Sequence, residues 1–270
     1  MTAPAITANQ RWTEGRASYK RPDDPIKTHE HEVAELEDKT TACDFVATHH
    51  YARRFPPSRL RFGLYRGGEL VGAAVFSPPQ NNKIITRLAP GLRHLDGVVL
   101  SRFVLLDQVA GNGETWFLGR CFEVLRKRGD LRAVVSFSDP EERHTAAGEL
   151  VKPGHVGTIY QAFNGVYAGR ATRRSLKLFP DGTVFDDRTA QKVRAGERGD
   201  DGAIALLVSH GARPPRRGED LSAWLREATH ATTRKMRHPG NHRYVWALDR
   251  HLRASLDPRP RRPYPKRVPT

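Results

Sequence analysis

"VVLSRFVLLDQVAGNGETWFLGRCFEVLRKRGDLRAVVSFSDP", residues 98–140, changes its apolar period twice. At first apolar residues recur at a spacing of two, the period of a half-buried strand. From Asn112-Gly113 the spacing lengthens to four, so that Phe117, Cys121 and Leu125 share a helix face and Arg120, Arg126, Lys127 and Arg128 lie outward or near the end. Period two returns in "LRAVVSFSDP", where Pro140, lacking an N–H, ends the strand. Strand, helix and strand in succession predict an α/β protein.

The flanks extend this pattern. "AELEDKTTACDFVATHHYARRFPPS" (34–58) predicts a helix closed by Pro56-Pro57, with His50 and Tyr51 at its C-terminal end. "LRFGLY", Gly67-Gly68 and "ELVGAAVFSPP" predict a hairpin. "GHVGTIYQAFN" (154–164) predicts a short helix with Ile159 and Phe163 on one face and Tyr160 and Asn164 on another. "RSLKLFPDGTVFD" (174–186) predicts a second hairpin. The expectation is a mixed β-sheet flanked by helices over residues 34–188, after a polar arm at 1–33. Beyond lies a basic C-terminal region, 189–270, of loops and one helix, "EDLSAWLREATHATTRKMR".

Composition narrows the function classes. The 45 Lys+Arg against 30 Asp+Glu give +15, and residues 234–270 hold 11 Lys+Arg and 2 Asp. Such a balance points to a polyanionic partner, nucleic acid first. Arg234, Lys235, Arg237, Arg243, Arg261, Arg262, Lys266 and Arg267, interleaved with aromatic residues, are the candidate contacts; a solvated basic surface is the alternative. No apolar run approaches the roughly 18 residues of a membrane span, and no secretory signal precedes the first helix, so a cytoplasmic location is expected. Two isolated cysteines exclude a disulfide scaffold, no metal-ligand spacing is evident, and neither GxGxxG nor GxxxxGK[ST] occurs.

Several residues stand out of pattern. Arg102 shares the strand alternation of Val98, Leu100, Val104 and Leu106, and a charge on an apolar face needs an anion, either a protein carboxylate or a substrate phosphate. Asp139 falls at a strand end, where it either accepts a proton or caps a turn. His50 suits acid–base work or a helix-dipole contact. Asn112 and Thr115 open a helix, a place for an anion or merely a helix-start hydroxyl.

The series "HHYARRFPPS", "LVGAAVFSPP", "LSRFVLLD", "NGETWFLGR", "VSFSDP" and "GHVGTIYQAFN", in this order, resembles the Mom-like DNA-modification proteins of bacteriophages. "HPGNHRYVWALDR" and "PYPKR" are similar to that family's C-terminal region. The resemblance implies a GNAT-like fold and a transferase that places an acetamido (carbamoylmethyl) type group on adenine N6 in phage DNA, blocking host restriction. By motif its functional positions fall on His50, Tyr51, Arg102, Thr115, Asp139 and Tyr160, with His50, Tyr51, Asp139 and Tyr160 catalytic, Arg102 and Thr115 binding, and Tyr160 in a cleft facing Asp139. Asn112 at the helix start and Asn164 beside Tyr160 complete the binding residues. The implied partners are double-stranded DNA with a flipped adenine and an activated donor, either an aminoacyl-tRNA such as glycyl-tRNA or an acyl-CoA. "QVAGNGET" (108–115) is read as a departure from the R/QxxGxG/A pyrophosphate pattern of acyl-CoA enzymes, which favours the first donor. Two other departures are the insertion "EERHTAAGELVKP" (141–153) and Thr115 at a position where serine is frequent. A GNAT-type acyltransferase for a protein or small amine, and a non-catalytic DNA-binding protein, are the competing functions.

Overall fold

The computed structural model describes residues 9–13, 16–20, 24–256 and 262–266. In chain order the first elements are β1 (Asn9–Thr13), β2 (Arg16–Lys20), β3 (His31–Glu35), α1 (Lys39–His49), β4 (Leu60–Arg66), β5 (Glu69–Ser77) and α2 (Lys83–Leu88). The opening stretch then forms β6 (Gly97–Leu105), α3 (Gly113–Arg128) and β7 (Ala133–Ser138). After these come β8 (Arg143–His144), β9 (Leu150–Lys152), α4 (Thr158–Ala162), β10 (Val166–Arg170), β11 (Arg174–Leu178) and β12 (Val184–Phe185). The chain continues through α5 (Asp187–Ala195), α6 (Asp200–Ser209), α7 (Leu221–Thr232), β13 (Arg234–His238), β14 (His242–Ala247) and α8 (Arg250–Leu256).

Two compact units result. The first joins residues 1–140, 155–171 and 241–270, and the second is made of 141–154 and 172–240. The first holds a seven-stranded mixed sheet in the order β10-β14-β7-β6-β5-β4-β3, flanked by helices as expected. All its neighbours are antiparallel except β6 and β7. That parallel pair is registered only from Gly97–Leu100 against Ala133–Ser136. Beyond Leu100 and Ser136 the two strands part, and the notch between them begins one residue before Arg102.

Helix α3 covers one sheet face because its apolar residues recur at helical spacing: Phe117, Leu118, Cys121, Phe122 and Leu125 are buried against Val98, Leu100 and Val134. Each such side chain contributes about 1.5–3 kcal/mol. Gly129, at φ 72, ends the helix in the left-handed conformation that glycine adopts without strain. The opposite face packs α2 and α8 through Ile85, Leu88, Leu252 and Leu256 onto Ala133, Val135 and Val245.

Three boundaries differ from the sequence expectation. The N-terminal residues are not a loose arm: Arg11 and Ile26 are buried, and β3 forms the edge of the main sheet. Nor do residues 189–270 form one region. "HRYVWA" is a buried strand between β7 and β10, and its basic neighbours mask the period-two signal of His242, Tyr244 and Trp246. The segment 172–240, with 141–154, instead makes its own core from Phe179, Phe185, Val193, Leu207, Trp224 and Leu225. It therefore contains three helices, α5 to α7, and the hairpin β11–β12 belongs to it.

Candidate functional site

The notch at the end of the parallel pair collects four of the expected residues. His50 follows α1, whose N-cap Asp38 accepts from Thr40 and Thr41 N–H and whose Ala42, Phe45 and Val46 are buried. His50 itself is buried, and its Nδ1 accepts from Ala52 N–H at 3.0 Å. That bond places the ring proton on Nε2. Burial first, then the electrostatic influence of Arg102 and of His155, holds the imidazole well below its usual pKa. His50 is thus a neutral hydrogen-bond donor at Nε2, not the charged partner of a helix dipole. Tyr51 lies against it at 4.2 Å between ring centroids and meets His155 edge-on at 6.4 Å.

Arg102 reaches into the same group from β6. Its hydrogen-bond partners among the described residues are backbone carbonyls, not the protein carboxylate that is one of its two expected anions: Nε donates to Arg54 O at 3.0 Å and a terminal nitrogen to Ser101 O at 2.6 Å. Among the described residues it makes no salt bridge. Burial disfavours its charge, and the phenols of Tyr51 and Tyr160 partly offset that cost.

Tyr160 stands on α4 with the Ser136 hydroxyl beside its own. Ser136 Oγ donates to Leu100 O at 2.9 Å. Burial raises the Tyr160 pKa, and the group stays protonated. Its ring lies 5.5 Å from Tyr244 and edge-on to Trp246 at 5.7 Å. Tyr160 is therefore core-packed like Ile159 and Phe163, with a polar tip in the site. The helix-face argument for Asn164 fails because α4 ends at Ala162: Asn164 is an exposed turn residue at φ 54, a conformation that asparagine tolerates better than most.

Asp139 stands one residue beyond β7, half-buried, its carbonyl accepting from His155 N–H at 2.9 Å. The expected anion-holding groups of α3 are engaged within the chain. Asn112 Oδ1 accepts from Ile26 N–H, and Thr115 Oγ donates to Asn112 O. Buried Glu114 pairs with Arg11 at 2.6 Å, while Arg11 also donates to the carbonyls of Leu106, Val109 and Ala110. One reading of the sequence is corrected by the residues themselves: Gln108, Gly111 and Gly113 keep the QxxGxG spacing, and the structure sets that loop between β6 and α3.

Sequence reasoning missed His155, which lies edge-on to Tyr51 and disfavours the charged form of His50, and Gln161. The Gln161 amide donates to Val156 O, Tyr244 Oη and Pro265 O, fastening α4 to the strand and to the C-terminal segment. Tyr264 of that segment donates to Gly165 O at 3.0 Å. Among the basic candidates, Arg243 is turned inward onto Ala168 and Gly169 carbonyls, whereas Arg262 and Lys266 are exposed. Arg261 and Arg267 lie outside the described residues. In the second unit Arg234, Lys235 and Arg237 are exposed on β13. Among the described residues no helix is long and apolar enough to cross a membrane, and no group of three His, Cys, Asp or Glu is placed to hold a metal ion.

A mixed sheet with one parting parallel pair, a helix linking that pair, and titratable groups gathered at the notch define an α/β protein with a candidate site at the parting strands. The chain belongs to the Mom protein family, which it matches over residues 30–266. No curated protein matches it. Similar solved structures include an N-acetyltransferase from Staphylococcus aureus Mu50 (11% identity, TM-score 0.38, 81% of this chain and 99% of that one). Others are an agmatine N-acetyltransferase (12%, 0.38, 80% and 99%) and a GNAT family N-acetyltransferase from Escherichia coli in complex with CoA (13%, 0.32, 96% and 89%). At these TM-scores the likenesses carry no argument about activity.

Proposed function

We propose that the protein transfers an acetamido (carbamoylmethyl) type group from an activated donor to N6 of adenine in double-stranded DNA, protecting phage DNA from restriction in the host cytoplasm. The observation that carries this reading is the assembly of His50, Tyr51, Arg102 and Tyr160 at the β6–β7 notch of a Mom-family chain.

Adenine N6 lies inside a base pair, so the base must be flipped out to reach such a site. The N6 lone pair then forms the bond to the donor's acyl carbon, the leaving group departs with its bonding pair, and Asp139 takes the N6 proton. With a glycyl donor this gives an N6-glycyl amide, an isomer of the carbamoylmethyl product, so a rearrangement that exchanges the two nitrogens between the two glycyl carbons must follow. Tyr160, kept protonated by burial, serves as a hydrogen-bond or proton donor, and neutral His50 donates from Nε2. Arg102, without a carboxylate partner, is suited to an anionic part of the donor. The QxxGxG loop supports a phosphate-bearing donor, a property shared by acyl-CoA and glycyl-tRNA.

Nucleoside mass spectrometry of plasmid DNA from expressing cells tests the reading. An N6-substituted adenine is expected, and its mass identifies the group. Unmodified DNA in cells containing soluble protein would overturn it.

A further inference from the structure

Among the described residues of the first unit, the buried side-chain atoms without a hydrogen-bond partner include Ser138 Oγ, in a residue 0% exposed, and His242 Nε2, in a residue 1% exposed. These two residues are direct partners across the β7–β14 ladder. Opposed residues of an antiparallel pair point to one face, with Cβ atoms about 5 Å apart. The same ladder pairs Ser136 with Tyr244, so Ser138 and His242 stand one rung further along the face over which Tyr160 lies.

Both unpartnered groups are donors. Tyr167 Oη is 2.8 Å from His242 Nδ1 and has no other acceptor among the described residues, so the phenol donates and the imidazole carries its proton on Nε2. Burial and the charge of Arg170 lower the pKa of His242 and favour that neutral form. The Ser138 hydroxyl has a proton of its own to give. Gly157 ties this pair to the site. A Cβ there would stand 3.0 Å from Ser138 Oγ, 2.9 Å from the Tyr160 ring and 2.8 Å from the Tyr244 ring. The orphan hydroxyl and the site tyrosine thus meet across the bare Cα of Gly157, where these contacts and a φ of 78 leave no place for a Cβ.

Burying two donors without an acceptor is unfavourable, and an apolar pair would fill the same rung at less cost. We propose that Ser138 and His242 form a subsite for a carbonyl-type oxygen, the amide or carboxyl oxygen of the group being transferred. One such oxygen has two lone pairs and satisfies both donors at once. Tyr167 is a positioning residue that fixes the tautomer of His242. The assignment of the oxygen to the transferred group rests on the transferase reading; the pair's affinity for such an oxygen does not.

Ser138→Ala removes a buried, unpaired hydroxyl, so Tm should stay the same or rise. Modified adenine in cellular DNA, measured beside the wild type, should nevertheless fall about 10-fold or more, the scale of one lost hydrogen bond. His242→Gln, which keeps an N–H donor, should retain more modification than His242→Phe. Acetamide is the probe that needs no catalysis: at high concentration it should raise the Tm of the wild type more than that of Ser138→Ala. Normal modification by Ser138→Ala overturns the proposal. So does a loss of modification accompanied by a fall in Tm, the mark of a hydroxyl that only holds structural water. If the wild type modifies no DNA, the transferase reading fails by itself, and an equal acetamide response in both proteins then overturns the subsite.

Discussion

His50 shows how burial assigns a chemical state to a single residue. Its folded pKa lies below the unfolded value of about 6.5, so between the two the unfolded chain binds more protons. The stability this residue contributes is complete above about pH 6.5 and is lost as pH falls toward the folded pKa. Denaturant titrations between pH 7 and 5.5 should show stability falling with acid, and His50→Gln should lessen the slope by up to about 1.4 kcal/mol per pH unit. An unchanged slope would mean that His50 takes up its proton while folded. Tyr160 supplies the matching test of chemistry. Tyr160→Phe keeps the ring between Tyr244 and Trp246 but loses the hydroxyl, so modification should fall about 10²-fold with DNA affinity unchanged. Full activity would confine the residue to packing. The sequence marked His50, Tyr51, Arg102 and Tyr160 by motif, yet it gave no means of assigning protonation, because that depends on neighbours from distant segments.

At the scale of elements, the start of α3 is the point where the chain departs most from its pattern. Its first turn is held by Arg11 from β1, which pairs with buried Glu114 and caps three loop carbonyls. Removing one partner of such a pair strands the other. Arg11→Met should destabilise the protein by about 3–5 kcal/mol, and Arg11→Met with Glu114→Leu should recover much of that loss in chemical denaturation. A cost below 1 kcal/mol for the single variant would show that the pair is not buried in solution. The helix itself was legible because its residues follow one period. Its partner was not, since Arg11 sits in a polar stretch with no period and lies 103 positions from Glu114.

For the molecule as a whole, charge is segregated within the second unit. Strand β11 pairs with β13 so that Lys177 faces Lys235 and Ser175 faces Arg237, and neither Lys177, Lys235 nor Arg237 forms an ion pair among the described residues. Like charges opposed across strands are unfavourable alone, which makes this face a candidate for DNA phosphates. Replacing the three residues by Ala should weaken duplex binding and reduce the slope of log K against log salt by about 0.9 per lost phosphate contact. An unchanged slope in anisotropy titrations would make the face ordinary solvated surface. Shortening the chain from residue 255 is a less selective test, since Tyr264 and Pro265 are hydrogen-bonded to Gly165 and Gln161 beside the site.

Local period alone determined the α/β class, the β4–β5 hairpin and the β6–α3–β7 unit, because side-chain spacing within ten or so residues suffices for each. Tertiary structure decided the rest. It drew β14 from a basic segment into the sheet between β10 and β7 and collected 141–154 and 172–240 into a separate core. It also faced Ser138 with His242, 104 residues apart in sequence. Those placements follow from strand pairing and burial between distant segments, which no local period encodes.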